Sequence, residues 1–292
     1  MARERPAAAF EQPGGASEDE AIAGALAQRL DEPLTRPLKR LSSGASRATY
    51  AFATASHGEL VVQIERRATP EREAQAQAAL LQAAADAGVP VPRVLAHGSD
   101  DAALGASWIV MEAVSGTTDP GRILTGEGVP DAPALLESIA AALAAVHRMP
   151  ADGTLAPLVE EPLARLREAY DALAQPHPVF ELAFRALGED QPMARRALVH
   201  GDFRIGNLLV GADGVCAVLD WELTHVGDPV EDLGWLCVPA WRFTRPDRPA
   251  AGLGTREQLA SAYERHAGVE VDPGALRRWE LAGTLRWGVI CV

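Results

Sequence analysis

A chain of 292 residues is long enough for one large domain or for two compact parts, each with its own core. Its 48% hydrophobic and 23% charged residues are ordinary for a globular protein, and a formal net charge of −13 argues against a nucleic-acid partner, which requires a basic footprint. No apolar run approaches the roughly 18–20 residues of a membrane-spanning helix, so no membrane partner is expected. The cysteines Cys216, Cys237 and Cys291 are odd in number and lack metal-ligand spacing, which points to reduced, mostly buried thiols in a cytoplasmic protein. Nothing in the sequence bears on oligomeric state.

In chain order, residues 1–16 read as a flexible tail, with charges and prolines where a signal peptide would have its apolar core. Ser17-Glu18-Asp19-Glu20 forms a capping box that predicts a helix to about Leu30. Beyond Pro33 and Pro37, Leu41 to Ile64 is rich in small, β-branched and aromatic residues, interrupted at Gly44 and at His57-Gly58, and predicts an antiparallel hairpin or meander. Thr69-Pro70-Glu71 starts a helix that should stop at Gly88. Val89-Pro90-Val91-Pro92 cannot be helical, and Ser107 to Met111 is a strand broken at Ser115-Gly116-Thr117.

From there the chain turns mainly helical. Leu135, Leu136, Ile139, Leu143 and Val146 recur at helical spacing, further helices are expected near 161–174 and 178–187, and two more start at Thr255 and at Asp272-Pro273. Between them, Leu208 to Val210 and Val215 to Leu219 flank Asp213-Gly214 as a short β-hairpin. The plan is a small α+β part over 17–114 and a larger helical part over 115–292. The final apolar stretch, Arg286 to Val292, carries no stop signal, so the second part is expected to be cut short.

His200-Gly201-Asp202, followed by Asn207 and Asp220, carries the chemistry. Phosphoryl transfer to a hydroxyl needs a carboxylate to orient the acceptor, oxygen ligands for Mg²⁺ and a cradle for the triphosphate. Asp202 can supply the first, Asn207 and Asp220 the second. Asp202 and Asn207 flank a tight loop, and Asp220 ends the return strand of the hairpin, so Asn207 and Asp220 can share one ion. Phe203 to Gly206 should let Asp202 point away from that ion, toward an acceptor. A chance His-Gly-Asp-x₄-Asn in a chain this long is a roughly one-in-a-thousand event, so the alternative of mere turn formers is weak.

These residues, with Leu219-Asp220-Trp221-Glu222, His225 and Gly227-Asp228-Pro229…Asp232-Leu233-Gly234-Trp235, resemble the aminoglycoside phosphotransferase and choline kinase-like superfamily. The branch they resemble more narrowly contains the kinase-like domains associated with certain acyl-CoA dehydrogenases. The resemblance covers about residues 35–292. It implies a protein-kinase-like two-lobe fold with a β-rich nucleotide-binding lobe, a larger helical catalytic and substrate lobe, and ATP between them. It implies that Asp202 is the catalytic aspartate, that Asn207 and Asp220 hold Mg²⁺, and that the Ser42–Ser46 loop, with Ser43 and Gly44, covers the phosphates. Glu73 matches the helix glutamate that orients the phosphate-binding strand residue, and Glu112 and Val114 match the hinge, where a C=O and an N–H would meet adenine. One departure is Gln63, which stands where most such kinases carry Lys or Arg. An amide can hydrogen-bond a phosphate but adds no charge; Arg66 or Arg67 could supply it.

His200 is expected to brace the catalytic loop and Arg204 either to brace it or to approach the γ-phosphate. Glu222 and His225 either face the acceptor or fix the loop. Asp228 and Asp232, each ahead of a helix-like run, read as loop and cap residues, and Trp235, Trp241, Trp279 and Trp287 as core. The expected function is ATP- and Mg²⁺-dependent phosphorylation of a hydroxyl on a small molecule, a hydroxyacyl or hydroxy-acid metabolite or an antibiotic. Two other readings stand beside it: a nucleotide-binding pseudokinase, favoured by Gln63, and a metal-dependent phosphohydrolase built on His200, Asp202, Asp220, His225 and Asp228.

Overall fold

The structure, a computed structural model, describes residues 16–43, 47–65, 73–189, 193 and 195–292. The expected tail up to residue 15, Gly44, Arg66, Arg67 and the Thr69-Pro70 helix start lie outside the described residues, as do the side chains of Ser17, Ser42, Ser43 and Glu73.

The first elements are α1 (Ala16–Leu30), β1 (Leu34–Ser43), β2 (Arg47–Thr54), β3 (Gly58–Glu65), α2 (Glu73–Asp86), β4 (Val94–Asp101) and β5 (Gly105–Glu112). The strands make one antiparallel sheet in the order β1-β2-β3-β5-β4. Strict alternation along β3 puts Leu60, Val62 and Ile64 on one face, where Tyr50, Phe52, Trp108 and Val110 join them under Ile22 and Leu26 of α1. Burying each of those two α1 side chains contributes about 2 kcal/mol. Gln63 falls on the opposite face, registered between Thr49 and Ile109. The sequence places the first strand only from Leu41, yet β1 runs from Leu34 through Pro37. It does so as an edge strand, where a missing N–H is tolerated, with its register slipping between Arg36 and Lys39. Strand β4, which ends on Gly98, Ser99, Asp100 and Asp101, carries no period-two signal and is set by its pairing with β5.

The remaining elements are α3 (Pro120–Thr125), α4 (Ala132–Val146), α5 (Pro162–Ala172), α6 (Pro178–Leu187), β6 (Ala197–Val199), β7 (Leu208–Gly211), β8 (Gly214–Val218), β9 (His225–Gly227), α7 (Val230–Leu236), α8 (Arg256–Ala267) and α9 (Pro273–Ile290). Leu135, Leu136, Ile139, Leu143 and Val146 of α4 are all buried, as their spacing predicts. Helix α8 starts on a full capping box between Thr255 and Gln258, and Asp272 caps α9 by accepting from the Ala275 amide. Strands β7 and β8 form the expected hairpin; β6 and β9, three residues each, are too short to announce themselves by period. Of the thiols, only Cys237 is buried, whereas Cys291 is exposed. No helix among the described residues is long and apolar enough to cross a membrane.

The chain forms two compact units, one of residues up to Gln75 with Val94–Ala113, the other of Ala76–Arg93 with Val114–Val292. Most of α2, which the sequence assigns to the first part, thus belongs with the second. One tie is direct: the Val218 amide of β8 donates to the Pro90 carbonyl at 2.8 Å.

Helix α7 positions the loop described below, and it lies close on α9 because Gly234 has no side chain. A Cβ at Gly234 would sit 2.5 Å from the carbonyl carbon of Trp279 and 2.7 Å from the Glu280 amide, both backbone atoms of α9. Helix α9 is itself fixed by Glu280, which accepts from Arg242 and Arg256. Gly234→Ala should therefore destabilise the protein by about 3 kcal/mol, the upper end of overpacking costs. A urea titration would show this as a lowered midpoint at unchanged slope; an unchanged midpoint would mean that the helices slide apart without cost.

Candidate active site

The loop from His200 to Asn207 joins β6 to β7, and its side chains alternate in their surroundings. Phe203 and Ile205 are fully buried and anchor it in the core, leaving Asp202, Arg204 and Asn207 to converge on its other side. Gly201 takes φ +81° where Leu223 backbone comes too near for a Cβ, so a glycine is required.

His200 is enclosed, with its ring edge-on to Phe203 and tilted against Trp221. The Asp202 amide donates to its Nδ1 at 3.2 Å, so Nε2 carries the proton and donates to the Leu219 carbonyl at 3.0 Å. Burial pushes its pKa down, in keeping with a neutral ring. Both nitrogens are occupied, so the ring is a brace across the hairpin and has no lone pair for a metal or a proton relay.

Asp232 of α7 is also fully buried. Its two oxygens accept the His200 amide at 2.7 Å and the Gly201 amide at 2.9 Å, and its Oδ2 accepts from Nε2 of His147 at 3.1 Å. Nδ1 of His147 in turn meets the Tyr263 hydroxyl at 2.7 Å. Burial alone would raise the Asp232 pKa, but His147 and these donors outweigh it and hold the carboxyl below its ordinary value. The sequence reads Asp232 as a cap; in the structure it fastens the loop to α7.

Asp202 receives three side-chain hydrogen bonds. Its Oδ1 accepts from Arg204 Nε at 3.0 Å and from Trp235 Nε1 at 2.7 Å; its Oδ2 accepts from Asn207 Nδ2 at 2.6 Å. Asp202 and Asn207 are thus bonded to each other directly. The loop curls enough for Asn207 Nδ2 to reach the Asp202 carbonyl as well, at 3.0 Å. With Nδ2 engaged, the amide leaves Oδ1 as its acceptor. The Leu219 amide donates to the Asn207 carbonyl at 2.8 Å, and Asp220 follows it, two residues past the end of β8 rather than on the return strand as the sequence suggests. Asp220 takes φ +64°, a left-handed backbone that Asp tolerates at a cost of about 1 kcal/mol. Two hard oxygen donors, the Asn207 amide oxygen and the Asp220 carboxylate, fit a magnesium ion.

His225 pairs opposite Val199 in the β6–β9 ladder. Its Nδ1 meets the Leu223 carbonyl at 3.0 Å and its Nε2 the Glu231 carboxylate at 3.2 Å, two acceptors that a doubly protonated ring satisfies. Burial opposes the charge, but Glu231 outweighs it and the His225 pKa is raised. Arg286 of α9 stands 3.6 Å from the other Glu231 oxygen and donates to the Gly201 carbonyl at 3.0 Å. His225 thus fixes the loop through Glu231 and Arg286. Among the described residues no group of three or more His, Cys, Asp or Glu is arranged to hold a metal, and both imidazoles of the hydrolase reading are occupied by protein partners.

Beside the loop lies a pocket of about 370 Å³, lined by Leu163, Asp228, Glu231, Arg278, Trp279 and Ala282 among others. A smaller hollow shares Leu163, Glu231, Trp279 and Ala282 with it and extends to Trp235 and Arg286. Asp228 accepts from the Val230 amide and from Trp279 Nε1, and burial raises its pKa. Glu222 is exposed just beyond Trp221.

In the other unit, Ser43 ends β1 opposite Ala48, Gln63 lies mid-strand in β3, and Glu112 closes β5 opposite Leu60. The Ala113 amide donates to the Glu59 carbonyl at 3.0 Å, and Val114 begins the second unit. Gly44 and the Glu73 side chain lie outside the described residues, so the expected phosphate loop and its glutamate are not placed. Sequence reasoning missed Trp235 and Arg286 as partners of the loop. Asp232 and Trp235 stand three apart on a helix, which puts them on one face, and that spacing was the available signal. For Arg286, 85 positions from Gly201, there was none.

The phosphotransferase enzyme family matches residues 37–269, most of the chain, and the chain belongs to that family. The fold is the kinase-like α+β fold, with a small β-rich N-terminal part and a larger helical C-terminal part. A macrolide 2′-phosphotransferase, MphH from Brachybacterium faecium, is similar at a TM-score of 0.69 and 20% identity, over 94% of this chain and 92% of that one. The aminoglycoside phosphotransferase APH(4)-Ia, in a ternary complex with AMP-PNP and hygromycin B, is similar at a TM-score of 0.63 and 18% identity, over 92% and 89%. Among curated proteins, acyl-CoA dehydrogenase family member 11 of Pongo abelii is 28% identical over 219 residues, 68% of this chain and 28% of that protein. Family member 10 of Mus musculus is 28% identical over 210 residues, 65% and 20%. The chain thus spans roughly a quarter of the length of these relatives.

The His225–Glu231 contact gives a pH signature. A pKa raised above 6.5 in the fold contributes stability that is fully present below pH 6.5 and is lost as pH rises through the folded value. His225→Gln removes that contribution, with Glu231 and Arg286 left facing the site. Melting temperatures of wild type and variant should differ most in mildly acidic buffer and converge in alkaline buffer. A gap that widens with pH would contradict the assignment of the charge.

Proposed function

We propose that the chain is an ATP- and Mg²⁺-dependent phosphotransferase that moves the γ-phosphate of ATP to a hydroxyl of a small molecule. The observation that carries this reading is the convergence of Asp202, Asn207 and Arg204 on one loop, with Asp220 two residues past the end of β8. Asp202 is the catalytic residue: its carboxylate accepts the acceptor's O–H and aims the oxygen at the γ-phosphorus. The bond that forms joins these two atoms. The bond that breaks runs from the γ-phosphorus to the bridging oxygen, whose electron pair leaves with ADP, and the acceptor's proton passes to Asp202 and then to solvent. Asn207 and Asp220 hold the magnesium ion, which supplies neutralising charge to the triphosphate when bound.

The other assignments follow the family likeness. Ser43, Gly44 and Gln63 meet phosphate oxygens, Glu73 orients Gln63, and the Glu112 carbonyl and Val114 amide meet adenine. His200, Arg204 and His225 hold the loop, and Glu222, exposed past Trp221, is placed on the acceptor side. Catalysis on this scheme is positioning and electrostatics, with no covalent enzyme intermediate. The likeness to acyl-CoA dehydrogenase family members supports a hydroxy-acid or hydroxyacyl acceptor; the likeness to the macrolide and APH(4)-Ia enzymes supports an antibiotic. Gln63, neutral in β3, favours one other reading, a nucleotide-binding protein without turnover.

A coupled ADP-release screen across hydroxy acids, their thioesters, macrolides and aminoglycosides separates these readings. The expected outcome is one acceptor class that raises turnover well above basal ATP hydrolysis. Asp202→Ala should lower that kcat by about 10³-fold, in the range of a lost acid–base group. Asn207→Ala and Asp220→Ala should raise the Mg²⁺ concentration needed for half-maximal rate. Mg²⁺-dependent ATP binding with no stimulation by any acceptor would favour the non-catalytic reading.

A further inference from the structure

An ionised carboxylate offers about four lone-pair positions in its plane, two on each oxygen. On Asp202 the Oδ1 positions are both filled, by Arg204 Nε at 3.0 Å and Trp235 Nε1 at 2.7 Å. On Oδ2 one is filled, by Asn207 Nδ2 at 2.6 Å. Among the described residues nothing fills the remaining position, on Oδ2. The Asp202 side chain keeps 14% of its surface exposed.

We propose that Trp235 is a positioning residue that closes Oδ1 of Asp202 and so leaves Oδ2 as the single place where an acceptor hydroxyl can donate. The inference rests on the phosphotransferase reading above and adds to it the geometry of the acceptor's approach. The indole suits the task because it is a donor only and carries no charge, so it fixes the carboxylate without pairing with it as a second cation would. Its ring is rigidly held, with Arg286 4.6 Å above its centroid, the Trp241 ring at 5.5 Å and Gly283 of α9 against it. The same ring walls the hollow that continues the 370 Å³ pocket. A molecule seated there therefore touches the residue that sets the carboxylate's direction. With Trp235 unable to donate, Oδ1 regains a free position, and water or the acceptor can occupy it in a direction that does not lead to the γ-phosphate.

Neighbouring Trp241 supplies the control. It is buried in the same aromatic cluster, its Nε1 has no hydrogen-bond partner among the described residues, and its ring lies 4.6 Å from the Arg204 guanidinium, a contact with an aromatic face that phenylalanine retains. Trp235→Phe and Trp241→Phe each remove an indole N–H from this cluster, but only the first removes a donor from Asp202. With the acceptor found in the screen, Trp235→Phe should lower kcat about ten- to a hundred-fold, the range for one hydrogen bond to a charged group. The KM values for ATP and acceptor should stay within about two-fold, as expected for an interaction that acts on the reacting state. Trp241→Phe should stay within about two-fold of wild type in kcat. A Trp235→Phe enzyme with wild-type kcat, or an equal loss in both variants, overturns the proposal.

A second measurement needs no turnover. In ¹⁵N-tryptophan-labelled protein, the indole proton that disappears in Trp235→Phe should move upfield in Asp202→Ala, because its acceptor is gone. An unmoved resonance overturns the contact itself. If the wild type phosphorylates nothing while that resonance does move, the phosphotransferase reading has failed and the Trp235–Asp202 contact has not.

Discussion

The site depends on one buried charge. Asp232 has no solvent to stabilise it, and an ion of this kind costs several kcal/mol to bury unless its oxygens are filled. They are filled by the amides of His200 and Gly201 and by the His147 ring, so the compensation of the charge and the shape of the loop are one requirement. Removing the carboxylate would strand two amides as well as a ring nitrogen. Because Asp232 rides on α7 and α7 lies against α9 through Gly234, the position of the loop is also a statement about helix packing. The backbone contact at Gly234 and the carboxylate at Asp232 lie two residues apart, and neither can shift without the other.

Around that anchor the charges are arranged so that each stays in its place. His200 is neutral because it is enclosed and both nitrogens are used, which leaves Arg204 as the cation bonded to Asp202. His225 is biased the other way, toward its charged form, because Glu231 and the Leu223 carbonyl both need a donor. Arg286 completes the chain from Glu231 to the Gly201 carbonyl. Two histidines within the same motif thus serve as a neutral strut and as one end of an ion-pair chain. The difference comes from their neighbours, since the reference pKa is the same.

Much of this was legible in the sequence, and what was not has physical reasons. The α4 stripe, the Thr255 and Asp272 caps and the 208–218 hairpin follow from period and turn chemistry, which are local. The His200–Asn207 loop was legible as chemistry because the residue types are rare at that spacing. Strand β4, the Pro37 portion of β1, and the β6–β9 ladder were not legible, because their pairing is decided by partners far along the chain. The same holds for side-chain roles. Asp232 looked like a cap because aspartate before a helical run usually is one; its true partners are more than 30 positions away. The bond between Asp202 and Asn207 was not legible either, because loop length alone does not say which way the loop curls; Asn207 reaching back to Asp202 does.

The contacts within the loop are nearly all internal to the family motif, so on the proposed reading the choice of acceptor is made outside it. His200, Gly201 and Asn207 bond to Asp232, Leu219 and Asp202, all of which the motif contains. Three residues break this closure. Glu231, Trp235 and Arg286 each line the hollow beside the loop and also bond to it or to one another. An acceptor that fills the hollow would touch these shared residues as well as Asp202 itself, and so meet the loop through both. Selectivity for the acceptor should therefore divide into two layers. On the proposed reading, the walls from α5 and α9 would decide what enters, by shape and area. The shared trio would decide whether an occupant leaves Asp202 directed at its hydroxyl, and an occupant that fits the walls but displaces Arg286 or Trp235 would bind without reacting.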